Sequence, residues 1–161
     1  MATRQKTEGA KARLSEEALN TWRSLLDLTD DLRRILGAEL QESGVSPADY
    51  AVLLALSEAP DRALRSSELA DKIGWERSRL SHHLARMERR GLIRRDTCAT
   101  DSRGAVVVLT EDGLGALRGA SGPHLRAVKH YFADALTGEQ IAQLGEILAA
   151  VRRNVADKTT Q

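Results

Sequence analysis

SSELADKIGWERSRLSHHLARMERRGLIRR, Ser66–Arg95, decides the fold. Leu69, Ala70 and Ile73 share one face of a short helical segment that Ser66 or Ser67 would cap and Gly74 would close. A second segment, from about Glu76 to Arg90, repeats the pattern with Leu80, Leu84 and Met87. Gly91 stands where a left-handed residue ends a helix. Two helices joined across a short glycine turn form a helix-turn-helix. With Leu80, Leu84 and Met87 inward, the helical wheel sends Ser78, His82, Arg86 and Arg89 outward and puts Arg79 at the flank.

The residues that follow add a wing. Leu92–Arg95 reads as a short strand, and Ala105–Leu109 (AVVVL), rich in β-branched residues, as its antiparallel partner. Residues 96–104, DTCATDSRG, are then the hairpin loop, with Arg103 at its tip and Asp101 two residues before it. Asp101 can pair with Arg103 and fix its direction, and Gly104 lets the chain turn back. The bland alternative makes Arg103 an ordinary exposed hairpin arginine.

The flanks are helical. Ser15 caps a long helix carrying Leu19, Trp22, Leu25, Leu26, Leu32, Ile35, Leu36 and Leu40, which ends near Ser43-Gly44. Ser46-Pro47-Ala48-Asp49 opens another, with the acid three residues after the cap. Thr110 caps a fifth helix, to about Ala135, with a weak point at Gly122-Pro123. Thr137-Gly138-Glu139-Gln140 is a capping box for a sixth, with Ile141, Leu144, Ile147, Leu148 and Val151 on one stripe. The expected class is mostly α with a small β-wing: a winged helix-turn-helix lobe plus a helical dimerisation region. The expected organisation is a mobile basic arm (1–13), an N-terminal dimerisation helix (14–45), the winged lobe (46–110), C-terminal dimerisation helices (111–156) and a frayed tail (157–161).

Charge points to a partner. The whole chain carries a net +1, but residues 62–103 hold eleven Lys/Arg against six Asp/Glu. The first 13 residues add four Lys/Arg against one Glu, so the remainder is acidic. A basic middle in an acidic frame suits a polyanion. The apolar stripes of the first and last helices exceed what a winged lobe of roughly 65 residues can cover, and contiguous exposed stripes are rare on monomers. A two-fold dimer would hide them and space two recognition helices by roughly 34 Å, one turn of DNA.

Other chemistry has little support. No apolar run approaches the about 20 residues needed to cross a bilayer, and the first residues lack a secretory h-region. The single cysteine, Cys98, allows no intrachain disulfide and fits a reducing cytoplasm. Among Arg94, Arg95 and Arg103 it is also a candidate thiolate sensor, or an ordinary loop cysteine. His124 and His130 do not share a helix face, so no metal ligand set is formed, and no cofactor is expected. No nucleophile has a neighbouring base, so the protein does not read as an enzyme.

From about Ser46 to Gly113 the sequence resembles the MarR family (multiple antibiotic resistance regulators). The resemblance rests on LLALSEAP, on the stretch quoted first with its R-G-L-I-x-R exit, on D-S-R in the wing and on LTEDG after the second strand. It implies a homodimer built from the first, fifth and sixth helices, reading a palindromic operator. It also implies release of DNA by a small ligand, often an aromatic or phenolic acid, with Trp22 a candidate pocket residue. The DNA-contacting set is Ser66, Ser67, Arg77, Ser78, Arg79, Ser81, His82, Arg86, Asp101 and Arg103. The sequence departs from the family pattern at Arg79, where a small β-branched residue is common, at His82-His83, and at Asp96-Thr97-Cys98, where a proline-containing loop is common. Base preference is therefore not carried over. The expected function is a cytoplasmic, ligand-responsive repressor binding double-stranded DNA. The rivals are a thiol-responsive regulator working through Cys98 and a winged-helix protein-interaction module without DNA binding.

Overall fold

A computed structural model describes residues 14–96 and 105–159. In chain order the helices are α1 (Glu16–Glu42), α2 (Pro47–Ser57), α3 (Ser66–Ile73), α4 (Arg77–Arg89), α5 (Glu111–Tyr131) and α6 (Gly138–Thr159). The strands are β1 (Ala63–Arg65), β2 (Ile93–Asp96) and β3 (Val106–Leu109). The predicted class, mostly helical with a small β-wing, is the observed one.

The chain falls into two compact units, one ending at Arg34 and the other starting at Ile35. In the first, the Ser15 hydroxyl accepts the Ala18 N–H at 3.1 Å, as the capping signal predicts. Leu14, Trp22, Leu25, Leu26 and Leu28 are exposed there.

The second unit holds the core. Val52, Leu53 and Leu56 of α2, Leu69 of α3, Leu80, Leu84 and Met87 of α4, Ile93, Val107 and Leu117 are all buried in one cluster. The predicted inward stripe of α4 is therefore the observed one. Ser46 and Asp49 form the expected reciprocal capping box: the Asp49 N–H donates to the Ser46 hydroxyl at 3.0 Å, and the Ser46 N–H to the Asp49 carboxylate at 3.2 Å. Thr110 caps α5 by accepting the Gly113 N–H at 3.0 Å, and its own hydroxyl donates to the Gly91 carbonyl at 2.6 Å. Thr137 and Gln140 make the α6 box.

Gly74 and Gly91 terminate α3 and α4 with φ of 67° and 75°, a backbone region that strains any residue with a Cβ. In both, the next N–H reaches back into the last turn: Trp75 to the Ala70 carbonyl at 2.9 Å, Leu92 to the Met87 carbonyl at 3.1 Å. Each is a Schellman closure, which satisfies carbonyls the helix end would orphan.

Several sequence expectations need correction. The sheet has three strands, not two, in the order β1-β3-β2, all antiparallel. Ala63-Leu64-Arg65 is too short to show an alternating pattern in the sequence; β1 pairs along the edge of β3 opposite β2. The cap of α3 is Arg65, not Ser66 or Ser67, since the Glu68 carboxylate accepts the Arg65 N–H at 3.1 Å. Gly122-Pro123 lies inside α5 without ending it, and the helix stops at Tyr131, before a 3-10 turn at Ala133–Ala135. α6 continues to Thr159, past the predicted end at 156. Cys98, Asp101, Arg103 and the arm 1–13 lie outside the described residues.

Candidate nucleic-acid interface

α4 presents one continuous exposed face. Arg77, Ser78, Arg79, Ser81, His82, Arg86 and Arg89 are all exposed, while Leu80, Leu84 and Met87 are buried behind them. Its first turn carries no acidic residue, and the one carboxylate at that end of the helix is the N-cap residue, Glu76. Beside it runs a groove of about 820 Å³, bordered by Ser66 and Ser67 of α3, Arg77 and Ser81 of α4, and Arg65 and Arg95 of the sheet. Every residue of the predicted DNA-contacting set that falls within the described residues is thus on α4 or at the head of α3.

Ser66 has a second duty that the sequence does not reveal. Its hydroxyl and its N–H both donate to the Ala105 carbonyl, at 2.9 and 3.0 Å. Its donors tie the head of α3 to the start of β3. Ser67, next along the helix, has no such tie among the hydrogen bonds of the described residues.

The arginines of α4, the sheet and the turn before it differ in how they are held. Arg95 grips Glu88 with Nε at 2.8 Å and Nη2 at 2.6 Å, and its N–H donates to the same carboxylate at 3.1 Å. These bonds from Arg95 hold the Glu88 carboxyl below the usual range. They also lock β2 against the last turns of α4. Arg94 bonds Asp96 along the strand at 3.1 Å. Arg62 bonds Glu111 at 2.8 Å. Arg79 instead lies over the ring of Trp75, its guanidinium carbon 4.2 Å from the ring centroid.

Beneath α4 is a buried polar cluster. Asp49, with a side chain only 3% exposed, accepts from Arg90 Nη1 at 2.7 Å and sits 3.0 Å from His83 Nε2. At that distance the Asp49 carboxylate favours the protonated form of the ring. Arg90 also donates to the Gly44 carbonyl at 3.2 Å. On its other side His83 Nδ1 lies 3.0 Å from Arg86 Nη2. A guanidinium only donates, so Nδ1 is the acceptor and the ring proton resides on Nε2, toward Asp49. Burial pushes the His83 pKa down, the Asp49 charge opposes this, and the Arg86 and Arg90 charges add to the lowering. Burial works to raise the Asp49 carboxyl, but hydrogen bonds from Arg90 and Ser46 outweigh it and the net direction is down.

In the sequence Asp49 reads only as part of a helix cap, and His83 only as half of the His82-His83 departure from the family pattern. The signal was thin: an acid at the third helical position, a histidine and an arginine, separated by more than thirty residues. Trp75 reads from sequence as packing. It does pack on the core cluster, and its ring meets the His83 ring in a T-shaped arrangement, with centroids 5.4 Å apart. Trp22, the candidate pocket residue, is 53% exposed on the first unit. Among the described residues no group of His, Cys, Asp and Glu has metal-binding geometry, and no helix is long and apolar enough to cross a membrane.

A sequence model of the MarR family matches residues 43–104. AbsC, a MarR family transcriptional regulator from Streptomyces coelicolor, is 33% identical over 91% of this chain and 99% of its own, with a TM-score of 0.84. Sco3205, a MarR family regulator from the same organism solved in complex with DNA, is 37% identical over 91% of this chain and 92% of its own, with a TM-score of 0.83. An uncharacterized HTH-type transcriptional regulator from Bacillus cereus is 27% identical over 85% of this chain and 90% of its own.

Proposed function

The chain belongs to the MarR family of DNA-binding transcriptional regulators, and from that premise we propose that it is a homodimeric, ligand-responsive repressor of a palindromic operator. The observation that carries the DNA reading is the exposed face of α4, with Ser78, Arg79, His82 and Arg86 toward solvent and a basic groove at its side. A helix of this kind enters the major groove and reads base edges with its first turns. Arg79 has the donors to bond guanine O6 and N7 together. Arg77, Ser67 and the head of α3 suit flanking phosphates, and Arg103 with Asp101 suits the adjacent minor groove.

Residues 46–110 are then the DNA-binding lobe, with 14–45 and 111–156 as the dimerisation segments. α6 supports the second assignment: it has no buried residue, yet Ile147, Leu148, Val151 and Val155 are apolar and exposed. The effector reading rests on the family and on Trp22, whose exposed ring could stack on a planar phenolic or aromatic acid. Such a ligand would act only through different affinities for two half-site spacings, which shifts the population between them. Repression in the cytoplasm is the setting in which these parts work together.

Fluorescence anisotropy against the gene's own upstream DNA, titrated with salt, tests the reading. Affinity of about 1–10 nM at moderate salt, falling steeply as salt rises, is expected, with release by one or more phenolic acids in a ligand screen. No attraction to any duplex at low salt would end it.

A further inference from the structure

We propose that Trp75 is the positioning residue that sets the aim of Arg79, and with it one base preference in each half-site. The inference rests on the reading that α4 docks in the major groove. Arg79 makes no salt bridge among the described residues, and its guanidinium carbon lies over the Trp75 ring, 4.2 Å from the ring centroid. Stacking differs from ion pairing in what it leaves over. A carboxylate occupies the in-plane N–H groups, as Glu88 does for Arg95. A ring face fixes the plane of the guanidinium and spends none of its five N–H donors. A bidentate contact to guanine needs that combination: a fixed plane and free edges.

The ring can set an aim because it is itself held. The Trp75 backbone is fixed by the Schellman closure of α3 through its N–H to the Ala70 carbonyl. Its side chain packs on the core cluster. Its ring and that of His83 are nearly perpendicular, at 79°, and His83 is pinned between Asp49 and Arg86. A chain of contacts therefore runs from a buried carboxylate through two rings to an exposed arginine in the first turn of α4. Arg77 and Arg89, exposed on the same helix, have no ring beneath them among the described residues.

The test is binding-site selection from randomised duplexes with the full-length protein, followed by titration of the preferred base and its three alternatives at the position Arg79 reads. Wild type, Arg79→Ala, Trp75→Leu, Trp75→Phe and the Arg79→Ala/Trp75→Leu double variant are compared, each checked for a cooperative thermal melt. Trp75→Leu should lower discrimination about two- to five-fold at the same single position that Arg79→Ala relaxes, which is the range of an exposed cation–ring contact. Trp75→Phe, which keeps a ring face, should hold most of the discrimination. In the double variant Trp75→Leu should add nothing at that position. If Trp75→Leu does not fold, Trp75→Met takes its place with the same expectation.

A uniform loss across all sequences, or an unchanged preference, would show that Trp75 only supports the fold and would overturn the proposal. So would sharper preference or tighter binding, which would mean that the ring withholds the arginine. Should Arg79→Ala itself leave base preference intact, the proposal falls, while α4 docking survives if other α4 variants shift the preference. Should the wild type bind no duplex, both fail together.

Discussion

At the scale of single residues, the Asp49–His83 contact makes the most distinctive claim. His83 is held below the ordinary histidine value of about 6.5, so the unfolded chain takes up its proton first as pH falls. Its contribution to stability is therefore whole above about pH 6.5 and declines as pH drops below that. Protonation also removes the Nδ1 lone pair that accepts from Arg86. Asp49 is depressed too, and its contribution is lost only below about pH 4, as the pH falls toward its folded value. Urea melts at a series of pH values should show stability falling as the pH drops below about 6.5, and His83→Gln should flatten that slope. An equal slope in the variant would assign it elsewhere. Asp49→Ala should cost about 1–3 kcal/mol at neutral pH, through the lost acceptor for the Ser46 N–H and the lost Arg90 bond.

At the scale of elements, the start of α5 depends on a close approach. A Cβ on Gly113 would sit 2.0 Å from the Leu92 carbonyl oxygen, which is backbone and cannot swing aside. Gly113→Ala should therefore lower stability by at least about 2 kcal/mol in thermal or urea melts. Gly115, two residues on and in the same helix, has nothing within 4 Å of its would-be Cβ. Gly115→Ala should raise stability by about 0.5–1 kcal/mol, the ordinary helix-propensity gain. A similar loss at both positions would contradict the packing account. The same junction joins the lobe's parts: the Thr110 hydroxyl reaches Gly91, and Glu88 reaches Arg95. The turn after α4 and the start of α5 are thus fixed to one another, and the wing strands leave from a rigid base.

At the scale of the whole molecule, a row of apolar surface is left uncovered. α6 presents Ile147, Leu148, Val151 and Val155 to solvent, a row that a second copy would cover. Light scattering coupled to size exclusion should give twice the mass of one chain for the wild type. Ile147→Asp with Val151→Asp should give the single-chain mass at micromolar concentration, with DNA affinity lowered by tenfold or more, because two half-sites are no longer engaged by one particle. A wild-type monomer would remove the dimer from the proposed function. Salt should act on the DNA complex more strongly than on the dimer, since the former releases counterions from phosphates.

Periodicity and punctuation were enough, without tertiary information, to place six helices, both closing glycines of the helix-turn-helix and the outward set on α4. Each depends on local rules: the 3.6-residue repeat, caps that satisfy nearby N–H groups, and φ values open to glycine. The third strand, the cap at Arg65, the Ser66–Ala105 tie, the Asp49–His83–Arg90 cluster and the Arg79–Trp75 stack came only with the tertiary structure. Most of these join residues distant in the chain, whose meeting is set by how α2, α4 and the sheet pack. The stack is close in sequence, but the ring faces Arg79 only because the α3–α4 turn and His83 hold it there.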